Sequence, residues 1–170
     1  SSGGQWKDII TLPFNSDNYD TGHPSVSQDG KKLYFTSNMP GGFGDTDIYV
    51  VSINDGHYGA PQNLGPTVNS KYKEYTPHVD GDILYFSSNR PGGIGKLDIY
   101  MTKLDGSLEE PINLGKPMNS KGDDISFIIN LPPAPCLPFS QLSSSSTSGD
   151  CFSTLSSIPA ALSRQDSKNS

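Results

Sequence analysis

The chain is poor in apolar residues. Only 32% of its 170 residues are hydrophobic, and no run approaches the roughly 18 consecutive apolar residues that a membrane-spanning helix requires. Basic residues are also few, with 12 Lys and Arg against 18 Asp and Glu. The resulting net charge of −6 disfavours a sequence-independent grip on nucleic acid, which depends on clustered cations. The sequence therefore predicts neither a membrane span nor a nucleic-acid partner.

Residues suited to metal or covalent chemistry are scarce as well. The three histidines are His23, His57 and His78. Because they form no His-x-x-x-His pair, and neither Cys136 nor Cys151 lies near one of them, a zinc site is not expected. The two cysteines are either free thiols or, in an oxidising compartment, a disulfide. The sequence also lacks the Gly-x-Ser-x-Gly elbow that marks many serine hydrolases.

Glycine and proline, in contrast, are abundant, with 18 and 14 residues. This composition argues against a helical bundle and favours many short strands joined by turns. The composition changes after residue 130: residues 1–130 hold all eight Tyr, whereas residues 131–170 hold both Cys, twelve Ser and no Tyr. The second segment has too few large apolar residues for a core of its own, so we expect a disordered Ser/Pro-rich tail there.

An internal repeat of about fifty residues occupies the first segment. The pattern Leu-Tyr-Phe-x-Ser-Asn-x-Pro-Gly-Gly-x-Gly-x-x-Asp-Ile-Tyr occurs at residues 33–49 and again at 84–100. A second pattern, Asn-Leu-Gly followed by Asn-Ser, occurs at 63–70 and recurs at 113–120. A further unit begins at 119–130 and then stops, because Pro132 and Pro133 stand where its next strand belongs. A degenerate earlier copy precedes the first unit.

Within each unit the apolar residues alternate with a period of two, which is typical of strands. Pro-Gly-Gly at residues 40–42 and 91–93 predicts a tight turn between the second and third strands, since proline fixes φ and glycine accepts a positive φ. Each unit thus holds four short strands, and a tandem array of such meanders predicts an all-β fold, a β-propeller fragment of about two four-stranded blades plus part of a third. The predicted blades lie at about 20–65 and 72–115, with the partial third at 119–130.

Ten positions recur with the blades and are expected to be structural. They are Asn38, Gly41, Gly42, Asp47, Tyr49, Asn89, Gly92, Gly93, Asp98 and Tyr100. Asp47 and Asp98 each follow a Gly-x-Gly segment and are expected to accept hydrogen bonds from turn amides. Asp45 and Asp47 together could supply oxygen ligands to Ca²⁺, but Lys96 replaces the first of them in the second unit. A nucleotide loop is disfavoured because a strand, not a helix, follows the glycines.

Two further groups admit a functional interpretation and a structural one. The aromatic residues are expected to form core, although they could form a ligand platform: Tyr34, Phe35, Tyr49, Tyr85, Phe86 and Tyr100. Five carboxylates could serve a glycosidase, but most precede the first strand of a blade, where acidic side chains are usually solvated: Asp17, Asp20, Glu74, Asp123 and Asp124. No catalytic, cofactor or metal site is predicted.

The segment at residues 24–35 and the Ser-Asn-x-Pro-Gly-Gly-x-Gly-x-x-Asp-Ile-Tyr pattern resemble the TolB-type, WD-like β-propeller repeat. The version is similar to that of Bacteroidetes-type envelope proteins, whose propellers often accompany an OmpA-like peptidoglycan-binding domain. The resemblance covers roughly residues 6–130. It implies a non-catalytic binding or scaffold module in the periplasm or at the outer membrane, with envelope proteins or peptidoglycan-associated molecules as partners. The alternative is the propeller portion of a secreted hydrolase.

Overall fold

A computed structural model describes residues 10–105 and 110–126. All of them belong to the first of the two units into which the chain divides, Ser1–Asn130. The expected disordered tail, together with both cysteines, lies outside the described residues. Within those residues every regular element is a β-strand, so the observed class is all-β. The described residues contain no helix that is long and apolar enough to cross a membrane.

The strands form two antiparallel sheets, called here the first and the second sheet. The first sheet contains β1 (Thr21–Val26), β2 (Lys32–Ser37), β3 (Asp47–Asn54), β4 (His57–Tyr58) and β5 (Gln62–Asn63). The second sheet contains β6 (Glu74–Asp80), β7 (Ile83–Ser88), β8 (Asp98–Lys103) and β9 (Ile112–Asn113). In both sheets the chain meanders, each strand pairing with the one that follows it; β5 departs from this by pairing with β3.

The registers of the two sheets are the same. Phe35 lies opposite Tyr49 between β2 and β3, and Phe86 lies opposite Tyr100 between β7 and β8. The second sheet has the four strands that the repeat predicts, and the first sheet has five. The hairpin that forms β4 was not predicted, although its two-residue turn at 55–56 is Asp-Gly with φ of 49° and 80°, the usual chemistry of such a turn.

The first strand of each sheet carries a bulge at the same position. The register shifts between Gly22 and Ser25 in β1 and between Tyr75 and His78 in β6. At the bulges His23 and Thr76 have φ of 51° and 48°, which side-chain-bearing residues rarely adopt. His23 and His78 are not equivalent in the repeat, because His23 corresponds to Thr76 and His78 to Ser25. The two bulges show that backbone irregularities recur with the repeat.

The two sheets pack face to face. Their shared core contains Tyr34, Ile48 and Val68 from the first repeat and four residues of the second sheet: Val79, Leu84, Phe86 and Tyr100. Ile48, Val68 and Leu84 have no exposed surface, and full burial of one such side chain stabilises the fold by about 1.5–3 kcal/mol. The larger of the two buried hydrophobic clusters therefore lies at the contact between the sheets.

The other face of the first sheet is covered by the segment that precedes β1. Phe14 stacks on Phe35 with ring centroids 4.7 Å apart, and Leu33, Tyr49 and Val51 complete this second cluster. Of the six aromatic residues expected in the core, five are at most 4% exposed, and Tyr85 is half-buried. The core interpretation of these aromatic side chains is thus confirmed for five positions.

Candidate functional site

The loops between the second and third strands carry the densest polar network in the described structure. We call residues 40–47 and 91–98 the Gly-x-Gly loops. Gly41 and Gly92 follow proline and have φ of 93° and 91°, as the Pro-Gly turn requires. Each loop delivers an aspartate to the first position of the third strand, Asp47 in β3 and Asp98 in β8.

Each aspartate is buried and accepts three hydrogen bonds. Asp47, 1% exposed, accepts from the Phe43 N–H at 2.5 Å, the Gly44 N–H at 3.1 Å and Asn63 Nδ2 at 2.8 Å. In the second repeat Asp98 accepts from the equivalent donors: the N–H groups of Ile94 and Gly95, and Asn113 Nδ2. Both aspartates thus accept hydrogen bonds from the amides of their own turns, as the sequence predicts. Because the three donors already occupy the carboxylate, it has little capacity left to bind a ligand.

Two asparagines continue the network to the backbone of the third strand. Asn63 Oδ1 accepts from Asn69 Nδ2 at 2.8 Å. Asn69 in turn accepts from the Ile48 N–H at 2.8 Å and donates to the Ile48 carbonyl at 2.9 Å. Asn113 and Asn119 form the same chain of bonds in the second repeat. Sequence reasoning did not assign this role, although the recurrence of both asparagines at a spacing of fifty was a signal.

The remaining predicted repeat positions have structural contacts as well. A Cβ added at Gly42 or Gly93 would lie 2.5 Å from the Oδ2 atom of the loop aspartate, so only glycine fits there. Asn38 Oδ1 accepts from the Asp20 N–H at 2.7 Å, and Asn89 Oδ1 accepts from the Lys73 N–H at 2.9 Å. The two asparagines thereby fasten each loop to the start of its own sheet.

The Gly-x-Gly loops also join one repeat to the next, at contacts that we call junctions. At the first junction the Asp45 N–H donates to the Tyr72 carbonyl and the Glu74 N–H donates to the Thr46 carbonyl, both at 2.9 Å. At the second, the N–H groups of Lys96 and Asp124 make the same bonds at 3.0 and 2.7 Å. Because only N–H and carbonyl groups take part, the junction tolerates the change from aspartate to Lys96.

The last glycine of each loop was not among the predicted repeat positions. A Cβ on Gly44 would lie 2.1 Å from the Tyr72 carbonyl oxygen, and one on Gly95 would lie 2.4 Å from the Ser120 carbonyl oxygen. Real Cβ atoms do not approach so closely, and the obstacle is backbone that cannot move aside alone. These glycines therefore permit the close contact between repeats.

A buried ion pair reinforces the first junction. Glu74 has no exposed surface, and its carboxylate forms an ion pair with Arg90 Nη2 at 3.1 Å. It also accepts hydrogen bonds from Ser70 Oγ at 2.6 Å and Ser88 Oγ at 2.9 Å. The Arg90 guanidinium lies 5.1 Å from the ring centroids of both Phe86 and Tyr100. The expectation of a solvated acidic loop is therefore wrong for Glu74, because the fold brings Ser88 at the end of β7, and Arg90 beyond it, against its side chain.

The other candidate ligand residues stay apart. Asp45 is 70% exposed at its side chain and lies 3.8 Å from Lys73 Nζ, whereas Asp47 points into its own loop. Asp17, Asp20 and Asp123 are exposed, and Asp124 bonds Ser120. Among the residues that the structure describes, no group of three His, Cys, Asp or Glu side chains could hold a metal ion.

An open cleft of about 410 Å³ lies between the turn that follows β1 and the turn that follows β6. Tyr34 lines it, and burial raises the pKa of that phenol, helped by the nearby carboxylates of Asp29 and Asp82. The pKa of Asp29 is lowered, mainly by the hydrogen bond from the Ser27 hydroxyl. The cleft contains polar and apolar groups without a convergent catalytic set.

The comparisons with known proteins identify no family. No family model matches the sequence, and no curated protein matches it. One solved structure that aligns with the chain comes from a study of two prolyl endopeptidases and of inter-domain dynamics in their catalysis and specificity. It is 26% identical over 55% of this chain, with a TM-score of 0.35. The aligned part spans 13% of that protein's length.

Proposed function

We propose that the chain is a non-catalytic binding or scaffold module, a β-propeller fragment of about two blades, in a bacterial cell-envelope protein of the OmpA-associated type. In this proposal its partners are envelope proteins or peptidoglycan-associated molecules, and it resides in the periplasm or at the outer membrane. The location and the partners rest on the resemblance of the repeat described above. The scaffold role rests on the structure of the loops.

The observation that carries the scaffold role is the saturation of the buried carboxylates. Asp47, Asp98 and Glu74 are each at most 1% exposed and each accepts hydrogen bonds from at least three groups of the chain itself. A catalytic carboxylate needs access to substrate and a free lone pair or proton. The buried carboxylates therefore hold the loops and the start of the second sheet in place, and they leave the outer surfaces for partners.

The repeated junction supports the propeller architecture. The two sheets face one another, and the same pair of backbone hydrogen bonds joins the first sheet to the second and the second sheet to the segment at 122–124. Such stacking of meandering sheets is the arrangement that a propeller uses around its axis. A module of this kind presents strand ends and loops as contact surfaces rather than a single deep pocket.

The test is co-sedimentation of the purified chain with isolated peptidoglycan sacculi and, separately, with outer-membrane vesicles. Retention in either pellet, at levels that an unrelated acidic protein of similar size does not reach, is the expected result. In parallel the chain is incubated with chromogenic glycosides and peptides. Turnover that disappears in Asp17→Ala, Asp20→Ala or Asp123→Ala, variants of exposed carboxylates, would contradict the proposal and favour the hydrolase alternative.

A further inference from the structure

The cleft between the turns that follow β1 and β6 depends on a difference between the two sheets. Residues 27–31 separate β1 from β2, whereas residues 81–82 alone separate β6 from β7. The longer turn brings Asp29 to the cleft, and the shorter turn brings Asp82. The cleft volume of about 410 Å³ lies within the range of roughly 300–1,000 Å³ that small-molecule sites occupy. The cleft is therefore large enough for a ligand, and the repeat alone does not explain it.

Hydrogen bonds within the longer turn fix the position of Asp29. Its Oδ1 atom accepts from the Ser27 hydroxyl at 2.6 Å and from the Lys31 N–H at 3.0 Å. Gly30, with φ of 71°, closes the turn by donating its N–H to the Ser27 carbonyl at 2.8 Å. The bond from Ser27, and then that from Lys31, lower the pKa of this carboxyl, so it is charged at neutral pH. Because both bonds go to Oδ1, the Oδ2 atom keeps its lone pairs for a ligand.

A buried phenol lines the cleft without a hydrogen bond to the chain. Tyr34 is 4% exposed, and its ring belongs to the core between the sheets. Its hydroxyl forms no hydrogen bond with any residue that the structure describes. Burial raises the pKa of this phenol, and the charges of Asp29 and Asp82 raise it further, which shows that both carboxylates lie close to it. Because buried hydroxyl groups normally have a partner, the phenol is suited to bond a group in the cleft.

The described lining of the cleft offers more hydrogen-bond acceptors than donors. The carboxylate of Asp82 is exposed and accepts no hydrogen bond from the part of the chain that the structure describes. With Asp29 it gives the lining two negative charges, against one positive charge from Lys32. Val79, 8% exposed, and the half-buried Leu104 add apolar surface. The lining is therefore complementary to a cation that carries several donors and an apolar body.

We infer that this cleft binds an alkylammonium group. The ammonium has three donors and no acceptor, so it can bond the carboxylates of Asp29 and Asp82 and the Tyr34 hydroxyl oxygen together. The aliphatic stem then packs on Val79 and Leu104. A bare metal ion is a poorer occupant, because it needs more oxygen ligands and leaves the apolar surface without a contact. The inference goes beyond the proposed function, which assigns no ligand to any cleft.

The test is an NMR titration of the natural chain with n-pentylamine at pH 7, where the amine is protonated. Amide shifts are followed at residues 27–32 and 80–82. We expect saturable shifts with a dissociation constant on the order of 1–10 mM, since so small a ligand in an open cleft gains little binding energy. The neutral analogue 1-pentanol and the anion pentanoate should produce no saturable shifts there. Added sodium chloride should weaken the binding of the amine, because the carboxylates are exposed.

Two sources of the alkylammonium group are distinguished in a parallel titration. N-acetyl-lysine N-methylamide carries the same group on a peptide unit. Equal affinity for this compound and for n-pentylamine identifies a free amine as sufficient, whereas tighter binding of the lysine compound identifies a lysine side chain of a peptide as the source. Either result supports the site, because both probes must compete with each other for the same shifts.

Variants test the assigned contacts. Asp29→Asn and Asp82→Asn should each weaken the binding of n-pentylamine by about threefold to fivefold. Asparagine keeps the oxygen that closes the turn, so this loss reports the charge. Tyr34→Phe should weaken binding by about threefold or more, through the lost hydroxyl. Lys32→Met removes a competing cation and should tighten binding. Asp55→Asn is the matched control, because this exposed carboxylate lies in the turn after β3 and does not line the cleft.

Several results would overturn the inference. One is the absence of saturable shifts with n-pentylamine, and another is equal binding of 1-pentanol. Unchanged affinity in both Asp29→Asn and Asp82→Asn would have the same meaning. Binding of pentanoate, or weaker amine binding in Lys32→Met, would show that the cleft recognises an anion instead. None of these measurements uses sacculi or membranes, so the inference and the proposed function fail separately.

Discussion

A single buried carboxylate organises each Gly-x-Gly loop. Asp47 joins two loop amides to Asn63, and through Asn63 it is linked to Asn69 and to the backbone of Ile48. A buried donor that loses its acceptor destabilises the fold by more than one hydrogen bond normally contributes to stability, since water cannot replace the lost partner. The repeat of an aspartate at this position therefore follows from hydrogen-bond satisfaction and requires no ligand.

Replacing Asp47 or Asp98 by Ala should lower the free energy of unfolding by roughly 1–3 kcal/mol, because buried donors are left without an acceptor. The two variants should behave alike, since their partners are equivalent in the two repeats. Urea denaturation followed by fluorescence measures the change. Asp45→Ala, at an exposed side chain, is the control and should stay within about 0.5 kcal/mol of the natural chain.

Melting with and without calcium tests the alternative that Asp47 binds a metal ion. An ion bound only by the native state would raise the melting temperature of the protein. We expect the same melting temperature with calcium and with chelator. A calcium-dependent rise that vanishes in Asp47→Ala would make Asp45 and Asp47 a metal site.

The sheets are held to each other at a few points where backbone meets backbone. Gly44 permits the loop at 44–46 to reach the Tyr72 carbonyl, and the junction then forms two hydrogen bonds. Ile48 and Val68 complete the contact with apolar surface. The junction therefore requires the lack of a side chain at Gly44 as much as it requires the backbone groups that form the hydrogen bonds.

Gly44→Ala should therefore destabilise the protein strongly, because the new Cβ lies 2.1 Å from a backbone oxygen and the two repeats must separate. Glycine-to-alanine changes without such an obstacle are neutral or stabilising by about 0.4–1 kcal/mol. Gly22→Ala is the matched control, since nothing lies within 4 Å of its Cβ position. Thermal melts of both variants measure the difference, and an equal melting temperature for the two would contradict the role of Gly44.

The ion pair of Glu74 and Arg90 is specific to the second sheet, since Met39 stands at the position of Arg90 in the first. Arg90→Met should lower the free energy of unfolding by roughly 3–5 kcal/mol, because Glu74 stays buried without its cation. Arg90→Met combined with Glu74→Gln should cost less than the sum of the single changes. A double-mutant cycle from urea melts measures this coupling, and additive effects would show that the pair does not interact.

The sequence predicted the strands well because each is a local apolar pattern bounded by Gly or Pro, and the two copies support each other. It predicted the turn-acceptor role of Asp47 for the same reason, as its donors lie three and four residues away. The pairing of Glu74 with Arg90, the role of Gly44 and the bonds of Asn69 were missed. Their partners are 16 to 28 residues away or in the next sheet, and only the stacking of sheets reveals them.

The two sheets share one core, so stability is a property of the stack. Tyr34 belongs to the first sheet but packs among Leu84, Phe86 and Tyr100 of the second. Neither sheet can bury these residues alone, and in stacked repeats the interface between neighbours supplies much of the stability. Groups in that interface report on whether the whole stack is folded.

Burial raises the pKa of three phenols, those of Tyr34, Tyr49 and Tyr85. An unfolded tyrosine loses its proton near pH 10, whereas in the native state these phenols keep theirs to higher pH. Between the two pKa values the unfolded state binds fewer protons, so the free energy of unfolding falls as the pH rises. The stabilisation is complete below about pH 10 and is lost as the pH rises towards the native pKa.

We therefore expect the free energy of unfolding of the natural chain, measured by urea denaturation, to decline above about pH 10, with a slope of at most about 1.4 kcal/mol per pH unit for each tyrosine. Tyr34→Phe removes one of these groups, so its decline should be shallower than that of the natural chain, whatever its stability at pH 7. Subtracting the two curves cancels the titration of lysines and of the other tyrosines. Parallel curves between pH 9 and pH 11 would show that the Tyr34 phenol titrates alike in the native and unfolded states, and would place it outside the core between the sheets.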